Sequence, residues 1–378
     1  MAEKLAYASV APPSLTLPTR GREHNCSALL TFNETPPPSL RISPVVATLF
    51  RMTLAFTLAA VAVLALLAAA TTYGVARLES AHPPAGQFFD IDGVHLHVVD
   101  LGTPKAAAKS SPTVVLIHGA SGNLEDMRLA LGDKLARNHR VILIDRPGHG
   151  WSTRPAGDDY ASPARQAAIV AKALDRLGVD RVIIAGHSWG GALASAFALD
   201  FPRRTAGLVL ISAVTHPWPG GIAWYYNASA IPLVRTLFAN TLAFPFGSLA
   251  IESASRGVFA PAAMPDGYID RAAIKLVLRP TTFFNNARDV FLLKAFVTQQ
   301  APRYAGLSAP TVIITGDHDT TVSPDIHSRT IAKVLPNAKL IVLKDVGHMP
   351  HHVASDVVVA AIDELAMNGA TQATAQRR

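Results

Sequence analysis

The stretch Ile183-Ile184-Ala185-Gly186-His187-Ser188-Trp189-Gly190-Gly191-Ala192-Leu193 constrains the chain most, because an apolar run stops at a Ser between glycines and an Ala-rich helical run begins. This is the G-x-S-x-G pattern of a nucleophile elbow, in which a Ser sits on a sharp strand-to-helix turn. Such a turn strains the backbone, and Gly186 and Gly190 are expected to lack Cβ atoms so that strand and helix can pass. The helix opening behind Ser188 would aim unpaired N–H groups and its dipole at any negative charge formed there.

Around this turn, short apolar runs alternate with helical ones. Phe88 to Ile91, the turn Asp92-Gly93 and the alternating Val94 to Val99 predict a β-hairpin. Thr113 to Ile117, Val141 to Ile144, Arg181 to Ala185 and Leu208 to Ile211 are apolar after Thr113 and Arg181 at their starts, as expected of strands covered on both faces. Helices are expected over Leu124 to Asn138, over Pro163 to Leu177, and after Ser188. Alternation of this kind implies a mostly parallel sheet flanked by helices, an α/β architecture.

From Val214 to Gly306 the pattern breaks, and it resumes with Thr311 to Ile314 and Leu340 to Leu343. The interval reads as a helical cap inserted between late strands. It is rich in aromatics, Trp218, Trp224, Phe238, Phe246, Phe259 and Phe284 among them. These would build the subdomain's own core and, placed over the elbow, the walls of an apolar pocket.

The N-terminal part is of another kind. Residues 1–51 are rich in Pro, Ser and Thr, without sustained period, and read as a disordered or non-native extension; they hold the one cysteine, Cys26, so cysteines leave the redox compartment open. Met52 to Ala76 carry no charge, and as a helix they would span about 37 Å against roughly 30 Å of bilayer hydrocarbon. A single-pass transmembrane anchor is the expectation. A cleaved signal peptide is the rival, but the run exceeds the usual h-region. Arg41 and Arg51 precede the span, which places the N-terminus in the cytoplasm and the catalytic domain on the extracytoplasmic side. Met52, directly before the run, is the expected natural start.

The net charge of +7 comes from scattered Lys and Arg, with no basic run interleaved with aromatics, so nucleic acid is not an expected partner. With 49% hydrophobic and 16% charged residues, the chain has enough apolar side chains to pack.

Four motifs, in order, carry a family resemblance. They are His118-Gly119-Ala120, Asp145-Arg146-Pro147-Gly148-His149-Gly150, the elbow at Ser188, and Gly347-His348, with an acid loop Gly316-Asp317-His318-Asp319 before the last. From about Gln87 to Ala366 the chain resembles the α/β-hydrolase fold, of the esterase, lipase and C–C hydrolase group. The order nucleophile, acid, base is that family's. The resemblance implies a serine hydrolase of the α/β-hydrolase fold that needs no cofactor and cleaves carboxylic esters of apolar or lipid-like substrates. It also leaves a C–C bond hydrolase, a cofactor-free haloperoxidase and a proline-type peptidase open. The Ser at the elbow argues against the branches that use an Asp nucleophile.

Residue chemistry points the same way. A Ser needs a neutral imidazole to accept its proton, and that imidazole needs a carboxylate to fix its tautomer. His348 is the expected base, since it follows the last buried strand beside a Gly. Asp319 is chosen over Asp317 because it stands further along the loop and reaches better. The expected oxyanion donors are the N–H groups of Trp189 and Ala120, with Ser121 as the alternative to Ala120. His118 and Asp145 are expected to hold their turns. His348, His351 and His352 have a metal-like spacing, set aside because no acidic cluster or Cys accompanies them. The reading from another class is a membrane-tethered binding module that has lost its chemistry, whose mark would be a broken triad.

Overall fold

The computed structural model describes residues 43–104, 111–228, 231–335 and 338–375. The expected unstructured segment lies outside them up to residue 42, Cys26 included. The chain divides into a short unit, Met1–Phe56, and a unit from Thr57 to Arg378 that carries the sheet.

A helix runs from Pro44 to Ala81, longer at both ends than the uncharged stretch. Proline suits the first helical position, where its missing N–H would have no partner in any case. The hydroxyls of Thr48, Thr53 and Thr72 bond back to the carbonyls of Pro44, Leu49 and Ala68 at 2.8, 2.9 and 3.0 Å, the usual way a hydroxyl is satisfied on an apolar helix. Its large apolar side chains, Leu58 and Leu66 among them, stand exposed, and its mean hydropathy reaches 2.4. A helix so apolar and so uncovered suggests association with a membrane.

Eight strands form one sheet in the order β1-β2-β4-β3-β5-β6-β7-β8. β1 (Gln87–Ile91) and β2 (Val94–Asp100) make the hairpin through Asp92 and Gly93, both at positive φ as a two-residue turn requires. β2 is antiparallel to β4, and from there on every pairing is parallel. β3 (Thr113–Ile117), β4 (Val141–Ile144), β5 (Val182–His187), β6 (Thr205–Ile211) and β7 (Thr311–Gly316) are buried at every position, whereas the edge strand β8 (Lys339–Leu343) is only partly covered.

Because side chains alternate along a strand, neighbouring residues feed separate cores. Val115, Ile117 and Ile184 pack with Ile169, Val170 and Leu174 of the helix Pro163–Arg176 and with Leu193 and Phe197 of the elbow helix, Trp189–Asp200. Val114, Leu116, Ile183 and Ala185 pack on the other face with Leu131, Leu135, Ile362 and Leu365. Each fully buried Leu or Ile contributes roughly 1.5–3 kcal/mol.

The helix expected after β3 begins at Leu124 but ends at Leu135, and a π turn, Arg128–Gly132, interrupts it. The insertion between β6 and β7 is helical, as expected. Its longest helix, Pro280–Gln300, lies down on the sheet domain, burying Asn285, Asn286 and Asp289. The aromatics do not form one pocket wall. Phe259 is buried against Tyr268, while Trp224 and Phe246 face outward.

Candidate active site

Ser188 joins β5 to the elbow helix with φ 52° and ψ −118°, a conformation a side chain rarely adopts. The turn is tight enough that a Cβ on Gly190 would lie 2.5 Å from the His118 carbonyl oxygen and 2.7 Å from that of Ile117; one on Gly186 would run into the Gly190 carbonyl. The Ser188 N–H donates to the Ile211 carbonyl at 2.9 Å, and its own carbonyl accepts from Gly191 at 2.9 Å and Val214 at 3.0 Å. β6 therefore clamps the strained residue.

The loop after β7 brings Asp319 to His348, with Oδ2 2.8 Å from Nδ1 and both side chains buried. The second oxygen, Oδ1, accepts from the N–H groups of Thr321 and Val322 at 2.9 and 2.8 Å, which fixes the carboxylate. Asp317 turns away. It pairs with His318 at 2.7 Å on the surface, a contact that lowers its own pKa and raises that of His318.

His348 is held through its backbone from two directions. Its N–H donates to the Val258 carbonyl of the cap at 3.0 Å, and its carbonyl accepts from His187 Nε2 at 2.9 Å. Burial, with help from His351 and His348, pushes the His187 imidazole well below its ordinary pKa, so it is neutral and its proton is on Nε2.

Behind His187 lies a cluster that the sequence does not disclose. Asp126, on the segment after β3, accepts from Tyr268 Oη and His352 Nε2 at 2.8 Å on one oxygen and from His351 Nε2 at 3.2 Å on the other. Burial alone would raise this carboxyl, but His352 and His351 outweigh it and hold it well below the usual range. Donor atoms of Asp126, His187 and His351 lie within 4.8 Å of one another, a spacing that could hold a metal ion. The acidic partner missing from the linear reading is thus Asp126, far off in sequence. Its oxygens already accept three hydrogen bonds, while Nδ1 of His351 is buried without a partner among the described residues.

Trp189 is the first residue of the elbow helix, so its N–H has no intrahelical partner. Ala120 follows β3 on the facing turn. Ser121, its alternative, donates its N–H to Asn286 Oδ1 at 2.7 Å, and so is engaged by the cap.

His118 and Asp145 tie turns together. The Arg146 N–H donates to His118 Nε2 at 3.0 Å, while Nδ1 donates to the Gly119 carbonyl at 2.8 Å. Asp145 pairs with His97 at 2.7 Å and accepts from the N–H groups of Leu124 and Trp151, each at 2.8 Å.

The fully buried Arg146 and Asp289 pair at 2.6 Å, and Arg154 meets the other oxygen of Asp289 at 2.6 Å. Burial pushes the Arg146 guanidinium down to about 10 against the pull of Asp289. The same guanidinium lies 3.9 Å over the Trp189 ring, whose Nε1 donates to the Asp289 carbonyl at 3.2 Å. The cap's long helix is thereby fastened to the residue beside Ser188. A cleft of about 250 Å³ opens elsewhere, lined by His82, His97, Asp145 and Trp151 and by none of Ser188, Asp319 or His348.

The sequence pattern of the alpha/beta hydrolase fold matches residues 112–355. Lipase 1 of Psychrobacter immobilis is 26% identical over 260 residues, covering 68% of this chain and 74% of the lipase. Haloalkane dehalogenase 2 of Mycobacterium tuberculosis is 26% identical over 298 residues, covering 75% and 95%. Among solved structures, a membrane phospholipase A described as a bacterial virulence factor superposes with a TM-score of 0.57 at 18% identity, covering 86% of this chain and 99% of that one. At that identity the likeness is one of fold.

Proposed function

The chain belongs to the alpha/beta hydrolase family, and from that premise we propose that it is a serine hydrolase cleaving carboxylic esters with apolar acyl or alcohol groups, Ser188, His348 and Asp319 acting as its triad. The family relatives support ester hydrolysis in general. The observation that carries the finer reading is the 2.8 Å contact between Asp319 Oδ2 and His348 Nδ1, next to an elbow whose strained residue is a Ser.

In this mechanism Ser188 Oγ attacks the ester carbonyl as His348 Nε2 takes its proton. Asp319 keeps the other imidazole proton on Nδ1 and stabilises the imidazolium. The carbonyl oxygen, now negative, is met by the N–H groups of Trp189 and Ala120, and losing one such donor costs about 10²–10³ in kcat. Collapse expels the alcohol with the proton from His348 and leaves an acyl-enzyme. Water then gives a proton to His348 and attacks, and Ser188 departs reprotonated as the acid is released. None of these steps calls for a cofactor.

The uncharged stretch 52–76 serves as the membrane anchor, with the hydrolase domain, 87–366, on the extracytoplasmic side and the insertion 214–306 as its cap. A fluorophosphonate probe on the full chain tests the nucleophile: wild type is labelled and Ser188→Ala is not. A panel of p-nitrophenyl esters of rising chain length, with an amide and a vinylogous diketone alongside, tests the bond cleaved. Turnover confined to the amide or the diketone would overturn the ester reading.

A further inference from the structure

We propose that the outward face of the cap, which carries Trp224, Ile231, Leu237, Phe246 and Leu249, docks into the headgroup boundary of the same bilayer that the N-terminal helix crosses. This rests on the reading of that helix as an anchor. The face is apolar and uncovered: Trp224 is 70% exposed, Phe246 57% and Leu249 81%, with Ile231 and Leu237 exposed beside them. Between Pro217 and Ile251 the sequence carries one formal charge, Arg235, whose guanidinium lies 4.3 Å over the Phe284 ring. Charge returns at Glu252, which pairs with Arg256 at 2.7 Å.

The occupant follows from where this face meets the anchor. A Cβ on Gly74 would collide with the Phe244 ring, so the cap helix Ala243–Phe259 begins against the apolar run itself. Gly74 precedes Arg77, the first charge after that run. At about 1.5 Å per residue, Phe244 stands about 5 Å inside that charge, the depth at which amphipathic helices lie in the interface, about 5–10 Å. Above it Arg279 pairs with Glu79 at 3.1 Å, which fixes the cap's height on the helix. Although the mean hydropathy within Val234–Phe259 reaches 1.2, it lies on the membrane and does not cross it, because Ala239, Ala243, Ser255 and Phe259 are buried in protein.

The test uses the full chain in phosphatidylcholine–phosphatidylglycerol vesicles. Cys26→Ser removes the one native thiol, and a nitroxide is placed at Leu249→Cys, at Leu58→Cys on the anchor, or at Val334→Cys as a surface control. Collision with oxygen is compared with collision with a water-soluble nickel complex. Leu249 and Leu58 should both favour oxygen at least threefold relative to Val334. Nickel access at Leu249 with oxygen preference at Leu58 overturns the docking and leaves the anchor standing. Nickel access at Leu58 overturns both. Spin–spin broadening at Leu249 with access to neither reagent overturns it in favour of a second copy of the chain. If Leu249→Cys does not fold, Phe246→Cys reads the same face with the same outcomes.

Discussion

The imidazole of His187 donates its Nε2–H to the backbone carbonyl of His348 at 2.9 Å, so the residue before the elbow Ser braces the loop that carries the proposed base. It is packed between two other imidazoles, 4.7 Å from the His348 ring and 4.2 Å from that of His351. His187 is a positioning residue in this arrangement.

Its replacement should act on kcat. His187→Ala frees the His348 loop and is expected to lower kcat about 10²-fold, the scale of an ångström-sized misplacement, with KM little changed. His187→Gln, which can still donate to the carbonyl, should recover most of the rate. Equal loss in both variants, with circular dichroism unchanged, would remove His187 from this role.

Asp319 and Asp317 should separate cleanly. Asp319→Asn is expected to cost up to about 10⁴ in kcat, because His348 loses the partner that sets its tautomer. Asp317→Asn touches the surface pair with His318 and a backbone hydrogen bond from Val346, not His348, and should keep most of its activity. Steady-state kinetics on both, with folding checked by circular dichroism, gives the answer; an inactive Asp317→Asn beside an active Asp319→Asn refutes the assignment.

Asp289 should matter to stability more than any surface acid. Asp289→Ala leaves Arg146 and Arg154 buried without their counter-ion, and losing one partner of a buried pair costs about 3–5 kcal/mol. Urea unfolding in detergent should show a loss of unfolding free energy of that size, read as the midpoint shift multiplied by the m-value. Replacing the exposed Asp270 should lower the unfolding free energy by less than about 1 kcal/mol.

Acid should begin to destabilise the fold through its buried imidazoles. Burial pushes His118 down to about 3 and His327 and His351 to about 4, so in the native state they stay neutral where the unfolded chain, titrating near 6.5, takes up protons. Their stabilisation is complete above the unfolded value and is lost as pH falls from there toward the folded values, at about 1.4 kcal/mol per pH unit for each group. His97 works the other way, since Asp145 overcomes the effect of its burial and raises it. Thermal midpoints should drop steeply from pH 6.5 to 4, and His327→Asn should flatten that slope. A midpoint independent of pH across this range would contradict the sign.

The sheet was legible because parallel strands covered on both faces are written as unbroken apolar runs, as in Val114 to Ile117, and because Asp92-Gly93 can hardly be other than a tight turn. The triad candidates were legible for a related reason: turns at strand ends are short, so chemistry and sequence stay in step at Ser188 and Asp319. Contacts made across long separations were not. Nothing in the linear order ties Asp126 to His351 and His352, or Arg146 to Asp289, and the spacing of the histidines alone does not disclose the acid that faces them. The cap was visible only as a break in pattern. An amphipathic or aromatic-rich segment tells that it covers something, and the sequence does not say whether Trp224 faces the elbow or the outside.

The backbone of Ser188 has one more implication. At φ 52° a residue with a Cβ is strained by about 1–3 kcal/mol, whereas glycine adopts that angle freely. Ser188→Gly should therefore melt several degrees above wild type while hydrolysing nothing. A dead enzyme that outlasts the working one on heating would mean that selection for turnover, and not for endurance, keeps a side chain at this position.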